Sequence, residues 1–125
     1  MHAIIFHWFM PFFEGLLLGI VAMLLHEAAH IFTAIGLGIE VKQVGIKWNK
    51  GLFTVRDTGT VSKNLLIALA GPMMNMILIL SWHWSARFSL ANFCYALANL
   101  LPIEGSDGWR IANCWMQLRK KDLMT

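Results

Sequence analysis

A cluster of ionisable residues, His26-Glu27-Ala28-Ala29-His30, lies inside a stretch that is apolar enough to cross a lipid bilayer. On an α-helix, His26 and His30 are four residues apart and face the same side, so their imidazoles can bind one Zn²⁺. Glu27 then lies beside the metal, where it can take a proton from a water molecule. Ionisable groups in hydrocarbon are costly and mark functional sites. The pentapeptide therefore predicts a zinc-dependent hydrolytic site within a membrane span.

Composition supports a membrane setting. The chain has 125 residues, of which 58% are hydrophobic and 14% are charged, and its mean hydropathy is +0.60. A soluble domain of this size needs more surface charge, so a soluble zinc hydrolase is excluded. Cys94 and Cys114 have no paired spacing and are expected to be free thiols. We expect one domain over residues 1–125, with the lipid bilayer as its surroundings and no nucleic acid as a partner.

The apolar runs predict an all-α membrane protein whose three spans cover residues 12–36, 62–82 and 88–101. The first span is bounded by Pro11, and the first two are long enough to cross about 30 Å of hydrocarbon. The third is short and stops at Pro102, as expected of a broken span that places polar backbone at membrane depth. A small β-hairpin is predicted over 41–56, with its turn at Asn49-Lys50-Gly51. A short amphipathic helix is predicted over 109–121.

Basic residues are distributed unevenly around these spans. Five of them flank the hairpin and four follow the third span: Lys42, Lys47, Lys50, Arg56 and Lys63, then Arg110, Arg119, Lys120 and Lys121. Only Arg87 lies between the second and third spans, and none precedes the first. By the positive-inside rule, the sequence predicts a multi-pass integral membrane protein with its N-terminus outside and its hairpin and C-terminus in the cytoplasm.

The first span has one face of small residues, as a projection at about 100° per residue shows. That face carries Gly15, Gly19, Ala22, His26, His30 and Thr33, and the opposite face carries Leu17, Ile20, Leu24 and Ile31. Small residues mark close helix approach in a membrane, whereas bulky aliphatic residues mark lipid contact. Both histidines are therefore predicted to point into the helix bundle.

A catalytic zinc takes three protein ligands, so a third residue is needed. Asp107 follows the break at Pro102, and it is either that ligand or the N-cap of the C-terminal helix. Depth favours a ligand, because His30 lies about 9 Å from the cytoplasmic end of its span and the broken span ends near that level. The segment Gly71–Asn75 lies at a similar depth. It is either a packing kink with an interhelical hydrogen bond from Asn75 or a part of the site.

Three motifs together resemble those of the site-2 protease family of intramembrane zinc metalloproteases. They are His26-Glu27-Ala28-Ala29-His30, Gly71-Pro72-Met73-Met74-Asn75, and Asn99-Leu100-Leu101-Pro102 with Asp107-Gly108, and they match HExxH, GPxxN and NxxPxxxxDG. The resemblance covers about residues 15 to 110. It implies a three-span catalytic core, Asp107 as the third zinc ligand, and cleavage of transmembrane substrates near the cytoplasmic face. One departure is Ser106, where the family commonly has leucine.

We therefore predict a zinc metalloendopeptidase with one Zn²⁺ per chain, held by His26, His30 and Asp107. Glu27 is the predicted general base, which passes its proton on to the leaving amine. Substrate or oxyanion contacts are assigned to Asn75 and Asn99. The substrate is expected to be a transmembrane protein, and the hairpin is either a strand edge for the unwound substrate or a structural cap.

Two other functions are open to such a sequence. One is a catalytically inactive relative that binds membrane helices as a chaperone or inhibitor, against which the intact Glu27 argues. The other is a membrane metal carrier. A transport path would repeat its ligands along the spans, whereas the candidate ligands here occur at one level only.

Overall fold

The computed structural model describes residues 2–47 and 51–124, and this part of the chain is mostly helical. Its elements, in chain order, are α1 (His2–Gly36), β1 (Val41–Lys47), β2 (Gly51–Arg56), α2 (Val61–Ile79), α3 (Ala86–Leu100) and α4 (Asp107–Leu123). A 3₁₀ turn over Leu80–His83 joins α2 to α3. The first three helices pack against one another, and α4 packs mainly against α2.

The first helix is longer than the sequence predicted. α1 begins at His2 and continues through Pro11, so the helix extends beyond the predicted span of residues 12–36, whose bounds stay a prediction. Proline removes one helical hydrogen bond, and α1 continues through that position despite this loss. The 35 residues of α1 extend for about 52 Å.

The C-terminal end of α1 is closed by a glycine in the left-handed conformation. Gly38 has a φ of +77°, its N–H donates to the Ile35 carbonyl at 3.0 Å, and the Ile39 N–H donates to the Ala34 carbonyl at 2.9 Å. This pair of bonds is a Schellman motif. It turns the chain so that Ile39 packs with Ala34 and Ile67 in the apolar core at this end of the bundle.

The predicted β-hairpin is confirmed. β1 and β2 are antiparallel, Val41 pairs with Arg56 and Lys47 pairs with Gly51, and one irregularity lies between Val41 and Gln43. The predicted turn residues Asn49 and Lys50 lie outside the described residues. The last residue of β2 therefore lies beside the C-terminal end of α1, and Asp57 donates its N–H to the Glu40 carbonyl at 3.0 Å.

Serine and threonine side chains cap the other helices. Thr60 caps α2, Ser85 caps α3 and Ser106 caps α4, each by accepting a backbone N–H three residues later. The alternative that Asp107 is the N-cap of the C-terminal helix is therefore wrong, because the neighbouring serine has that role and Asp107 is the first helical residue. α3 ends at Leu100, since the residue before a proline is pushed out of the helical region.

Two helical segments, His2–Gly36 and Val61–His83, are long and apolar enough to cross a membrane. α3 has 15 residues, fewer than the roughly 20 that a full crossing needs. The predicted faces of α1 agree with the observed burial only in part, because Gly15 of the inner face is exposed and Ile31 of the outer face is half-buried. Ala22 and His26 are fully buried, whereas Leu17 and Leu24 are 59% and 46% exposed.

Candidate metal centre

Three polar side chains, two from α1 and one from the distant start of α4, meet between these helices. His26 Nε2 lies 2.7 Å from Asp107 Oδ2, and His30 Nε2 lies 3.1 Å from the same oxygen. The two Nε2 atoms are 3.0 Å apart. His26 is fully buried and Asp107 is 5% exposed. The structure thus brings together the three residues that were predicted from the sequence to be zinc ligands. Their role as ligands stays a prediction.

Hydrogen bonds fix the orientation of both imidazole rings. His30 Nδ1 lies 2.6 Å from the Ile67 carbonyl oxygen, and His26 Nδ1 lies 2.5 Å from Asn75 Oδ1. The amide nitrogen of Asn75 donates to Asn92 Oδ1 at 2.8 Å, so its oxygen is the atom that faces the ring. Both partner atoms accept, and therefore both Nδ1 atoms donate. In the neutral rings, the two Nε2 atoms then carry lone pairs directed at Asp107.

These donor atoms suit a cation. Two imidazole lone pairs and a carboxylate oxygen within 3.1 Å of one another repel unless a positive charge lies among them. Two histidines and one carboxylate form a known ligand set of catalytic zinc, in which neighbouring ligand atoms are separated by about 3.3 Å. The separations here are slightly tighter, at 2.7 to 3.1 Å. The residues therefore offer the donor chemistry that a zinc ion requires.

A close approach of α2 supports this arrangement. A Cβ atom at Gly71 would lie 2.6 Å from both Nε2 and Cε1 of His26, and it would also collide with His30. Any larger residue would push α2 away from the two rings. The following Pro72 is also fully buried. Gly71 thus lies directly against the candidate ligands.

A second glycine positions Asp107. A Cβ at Gly108 would lie 2.9 Å from the Leu101 carbonyl oxygen and even closer to that of Leu100. Glycine therefore allows α4 to begin directly beside the end of α3, with Asp107 directed at α1.

A cavity of about 630 Å³ opens onto this cluster, and Glu27, His30 and Asp107 line it. Potential ligand atoms of His26, Glu27 and His30 all lie within 4.8 Å of one another, so this group can hold a metal ion. Glu27 follows His26 on α1, and its position places the carboxylate at the open side of the cluster. A water molecule in the cavity would lie within reach of both the carboxylate and the metal-binding atoms.

The two asparagines predicted to contact substrate lie in different places. Asn75 is fully buried, does not line the cavity, and contacts His26, Asn92 and the Ala22 carbonyl. Its geometry makes it a support for the His26 ring, with no polar atom directed at the cavity. Asn99 does line the cavity.

Sequence reasoning missed the buried Asn92. This residue is fully buried on α3. Its oxygen accepts from Asn75, and its nitrogen donates to the Phe88 carbonyl at 2.8 Å. An amide inside an apolar run was the available signal, because a buried amide without a partner is costly.

Three further cavity residues were also missed. The Tyr95 ring lies edge-on to His26 with 4.9 Å between the centroids, and Tyr95 lines the cavity. Arg56 and Arg110 line the cavity as well. Both arginines had been assigned only to membrane orientation, because nothing in their spacing connects them to the histidines.

Part of the chain is similar to a curated bacterial protein. No protein-family model matches the chain. The chain is 27% identical over 116 residues to a Bacillus subtilis (strain 168) protein named "Putative peptide zinc metalloprotease protein YydH". The match covers 79% of this chain and 46% of the relative, so the chain spans about half the length of that protein. The chain is thus similar to a protein whose name describes a zinc-dependent peptidase.

Proposed function

We propose that this protein is an intramembrane zinc metalloprotease of the site-2 protease type, which hydrolyses peptide bonds in or near transmembrane segments of other proteins. The observation that carries the proposal is the meeting of His26, His30 and Asp107 beside Glu27 at a cavity. The name of the Bacillus subtilis relative supports both the metal and the reaction class. One Zn²⁺ per chain would be held by the two imidazoles and the Asp107 carboxylate.

The proposed membrane placement has three spans. α1 and α2 cross the bilayer, and α3 enters from the outside and ends at the break that leads to Asp107. An ion pair between Glu14 and Arg87 links α1 to α3. Glu14 and Gly36 are 22 positions apart, which corresponds to about 33 Å and so to one hydrocarbon thickness. The metal site would then lie in the cytoplasmic half of the bilayer.

Zinc, when bound, would lower the pKa of a water molecule to about 7 and polarise the scissile carbonyl. Glu27 would accept the proton of that water and donate it to the leaving nitrogen. Asn75 and the Ile67 carbonyl would keep His26 and His30 oriented with their Nε2 atoms directed at the metal. Asn99 is better placed than Asn75 to contact the substrate, because it lines the cavity.

An extended substrate is needed, since the peptide bonds of a helix are shielded by their own hydrogen bonds. A two-stranded sheet leaves outer edges to which another strand can pair. Thr54 and Arg56 of β2 line the cavity. We therefore place the unwound substrate segment along the hairpin, with the scissile bond directed towards Glu27.

The experiment that tests this function compares the wild-type chain with Glu27→Gln after co-expression with candidate single-span proteins. The wild type should produce proteolytic fragments, and the variant should reduce their formation by roughly 10² to 10⁴, because it removes the proton acceptor. Fragments are followed by immunoblotting against tags on both ends of the candidate.

The matched control is the zinc content of both purified proteins, which should be the same because Glu27 is not a proposed ligand. Equal cleavage by both proteins would eliminate the protease. Binding of membrane helices by both proteins without any cleavage would favour the inactive chaperone or inhibitor instead.

A further inference from the structure

Two arginines from different elements line the cavity that contains the candidate metal site. Arg56 is the last residue of β2, and Arg110 lies in the first turn of α4. Burial lowers the pKa of Arg56, and the positive charge of Arg110 lowers it further. The two guanidinium groups are therefore close enough to interact electrostatically. Hydrolysis by a metal and a glutamate needs neither arginine, so this pairing of like charges calls for another explanation.

Within the described part of the chain, neither guanidinium has a carboxylate in hydrogen-bond contact. Arg56 Nη1 donates to the Asp57 backbone carbonyl at 3.2 Å and to Asn64 Oδ1 at 3.3 Å, and both acceptors are neutral. Arg110 Nη1 lies 3.8 Å from Asp107 Oδ1, which is beyond a hydrogen bond. The charge of Asp107 is already shared with the two histidines through its other oxygen.

Two further acids, Glu27 and Glu104, line the same cavity. None of the ion pairs found among residues 2–47 and 51–124 joins either of them to an arginine. The wall formed by Arg56 and Arg110 therefore presents N–H donors that no carboxylate occupies to whatever enters the cavity. Guanidinium donors match the geometry of a carboxylate, which they can bind through two parallel hydrogen bonds.

We propose that Arg56 and Arg110 form a carboxylate-binding subsite that selects peptide substrates with an acidic group close to the scissile bond. The inference rests on the proposed protease function and adds a substrate class to it. The carboxylate belongs to an Asp or Glu side chain or to a free chain terminus, which share the same chemistry.

The distance from the metal site limits where this acidic group lies. Arg110 Nη1 is 3.8 Å from one oxygen of Asp107, and the other oxygen contacts both histidines. An extended peptide advances about 3.3 to 3.6 Å per residue. A carboxylate bound by Arg110 therefore belongs to a residue within about two positions of the bond that faces Glu27.

The test measures binding, so that it does not depend on turnover. Full-length protein with Glu27→Gln is purified in neutral detergent with added zinc. The probes are fluorescent single-span peptides with a glycine-containing cytoplasmic segment, in which Glu or Gln is placed at successive positions. Fluorescence anisotropy gives the Kd of each peptide. The Glu peptide should bind roughly tenfold more tightly than its Gln counterpart at one or two positions, as expected for a charge-assisted hydrogen bond.

Substitutions then connect this preference to the arginines. Arg110→Gln should reduce the tenfold ratio to about one, and Arg110→Glu should reverse it in favour of a Lys peptide. Arg56→Lys retains the charge but loses the planar donor pair, so it should weaken the preference without abolishing it. Arg119→Gln is the matched control, because residue 119 lies on the same helix but on the opposite face, and its ratio should stay unchanged.

Further arms identify the source of the carboxylate and the competing ligand. One arm uses a Gln peptide that ends within the cytoplasmic segment, and its Kd is measured with a free C-terminal carboxylate and with a C-terminal amide. Tighter binding of the free carboxylate would identify a chain terminus as a ligand of the subsite. Equal affinities of Glu and Gln peptides at all positions, or a ratio that survives in both Arg110 variants, would overturn the subsite. So would loss of the ratio when phosphatidylglycerol is added, since the arginines would then bind lipid headgroups.

The outcome can be separated from that of the protease proposal. Cleavage of Glu and Gln peptides by the wild type at equal rates, with equal affinities, would remove the subsite and leave the protease. A clear Glu preference in binding, together with no cleavage by the wild type, would keep the subsite and remove the protease.

Discussion

At the scale of single residues, the orientation of His26 depends on a chain of buried amides. Asn92 accepts from Asn75, and Asn75 accepts from the His26 ring. An imidazole that donates through Nδ1 keeps the lone pair of Nε2 available to a metal, and such supporting hydrogen bonds commonly affect metal affinity by 10- to 100-fold. Asn75 therefore acts on the site through His26, whereas Asn99 faces the cavity directly.

We expect Asn75→Leu to weaken zinc binding by roughly 10- to 100-fold, because the ring loses its acceptor. Asn99→Leu, the matched control on α3, should leave zinc affinity unchanged, since Asn99 contacts the Tyr95 carbonyl and neither histidine. Zinc affinity is measured by competition with a chelating dye. Equal losses in the two variants would mean that the hydrogen bond to His26 has no special role.

Spacing within one helix was enough to predict that His26 and His30 share a face. The position of Asp107 was ambiguous in the sequence, because Ser106 and Asp107 are adjacent and both types of residue cap helices well. For Asn75 the sequence left open an interhelical hydrogen bond or a part in the site, and it could not predict that the partner is the His26 ring. Depth along a helix follows from residue count, but the neighbour that a side chain meets depends on how the helices pack.

At the scale of elements, the glycines around the end of α1 have different roles. A Cβ at Gly36 or at Gly38 would meet nothing within 4 Å, but only Gly38 has a positive φ, of +77°. An added methyl group therefore meets no steric collision at either position, and only at Gly38 does it cause backbone strain. Gly38 closes the helix, and the turn that it forms directs the chain into β1.

We expect Gly38→Ala to lower the free energy of unfolding by about 1 kcal/mol, because alanine is strained in the left-handed region. Gly36→Ala should be neutral or should raise it by up to about 1 kcal/mol, because alanine is the better helix former. Both values are measured by denaturant titration in detergent. An equal loss in both variants would show that the end of the helix is sensitive to any added methyl group.

The elements themselves were well predicted from hydrophobic patterning, and their ends less well. The hairpin was found because its alternation and glycine-containing turn are local signals. The start of α1 was missed because Pro11 was taken as a boundary, whereas the helix tolerates it. The start of α4 was placed two residues late, because the cap at Ser106 cannot be distinguished from the neighbouring aspartate in the sequence.

At the scale of the whole molecule, large apolar side chains cover the outside of the bundle. Phe12 is 68% exposed, Phe32 is 72% exposed and Ile77 is 57% exposed. The fully buried residues, by contrast, include His26, Asn75 and Asn92. A polar interior with an apolar exterior suits a hydrocarbon surrounding, where helices gain nothing from hiding leucine and gain from pairing their polar groups.

The proposed orientation predicts which end of the chain can be reached by a reagent from each side of the membrane. In a chain whose native cysteines are replaced by alanine, His7→Cys should react with an impermeant maleimide in intact cells. Arg119→Cys should react only after the cells are permeabilised, because the basic residues of α4 are expected to remain in the cytoplasm. The opposite labelling pattern would reverse the topology and move the metal site to the outer half of the bilayer.

The candidate site joins α1 to α4, since His26 and Asp107 are 81 residues apart. During synthesis, α1 is complete long before α4 has left the ribosome, and the two histidines alone lack the carboxylate that completes the cluster. The donor set therefore exists only after α3 has entered its place and α4 has folded beside it. A product truncated before Asp107 would therefore lack the complete donor set.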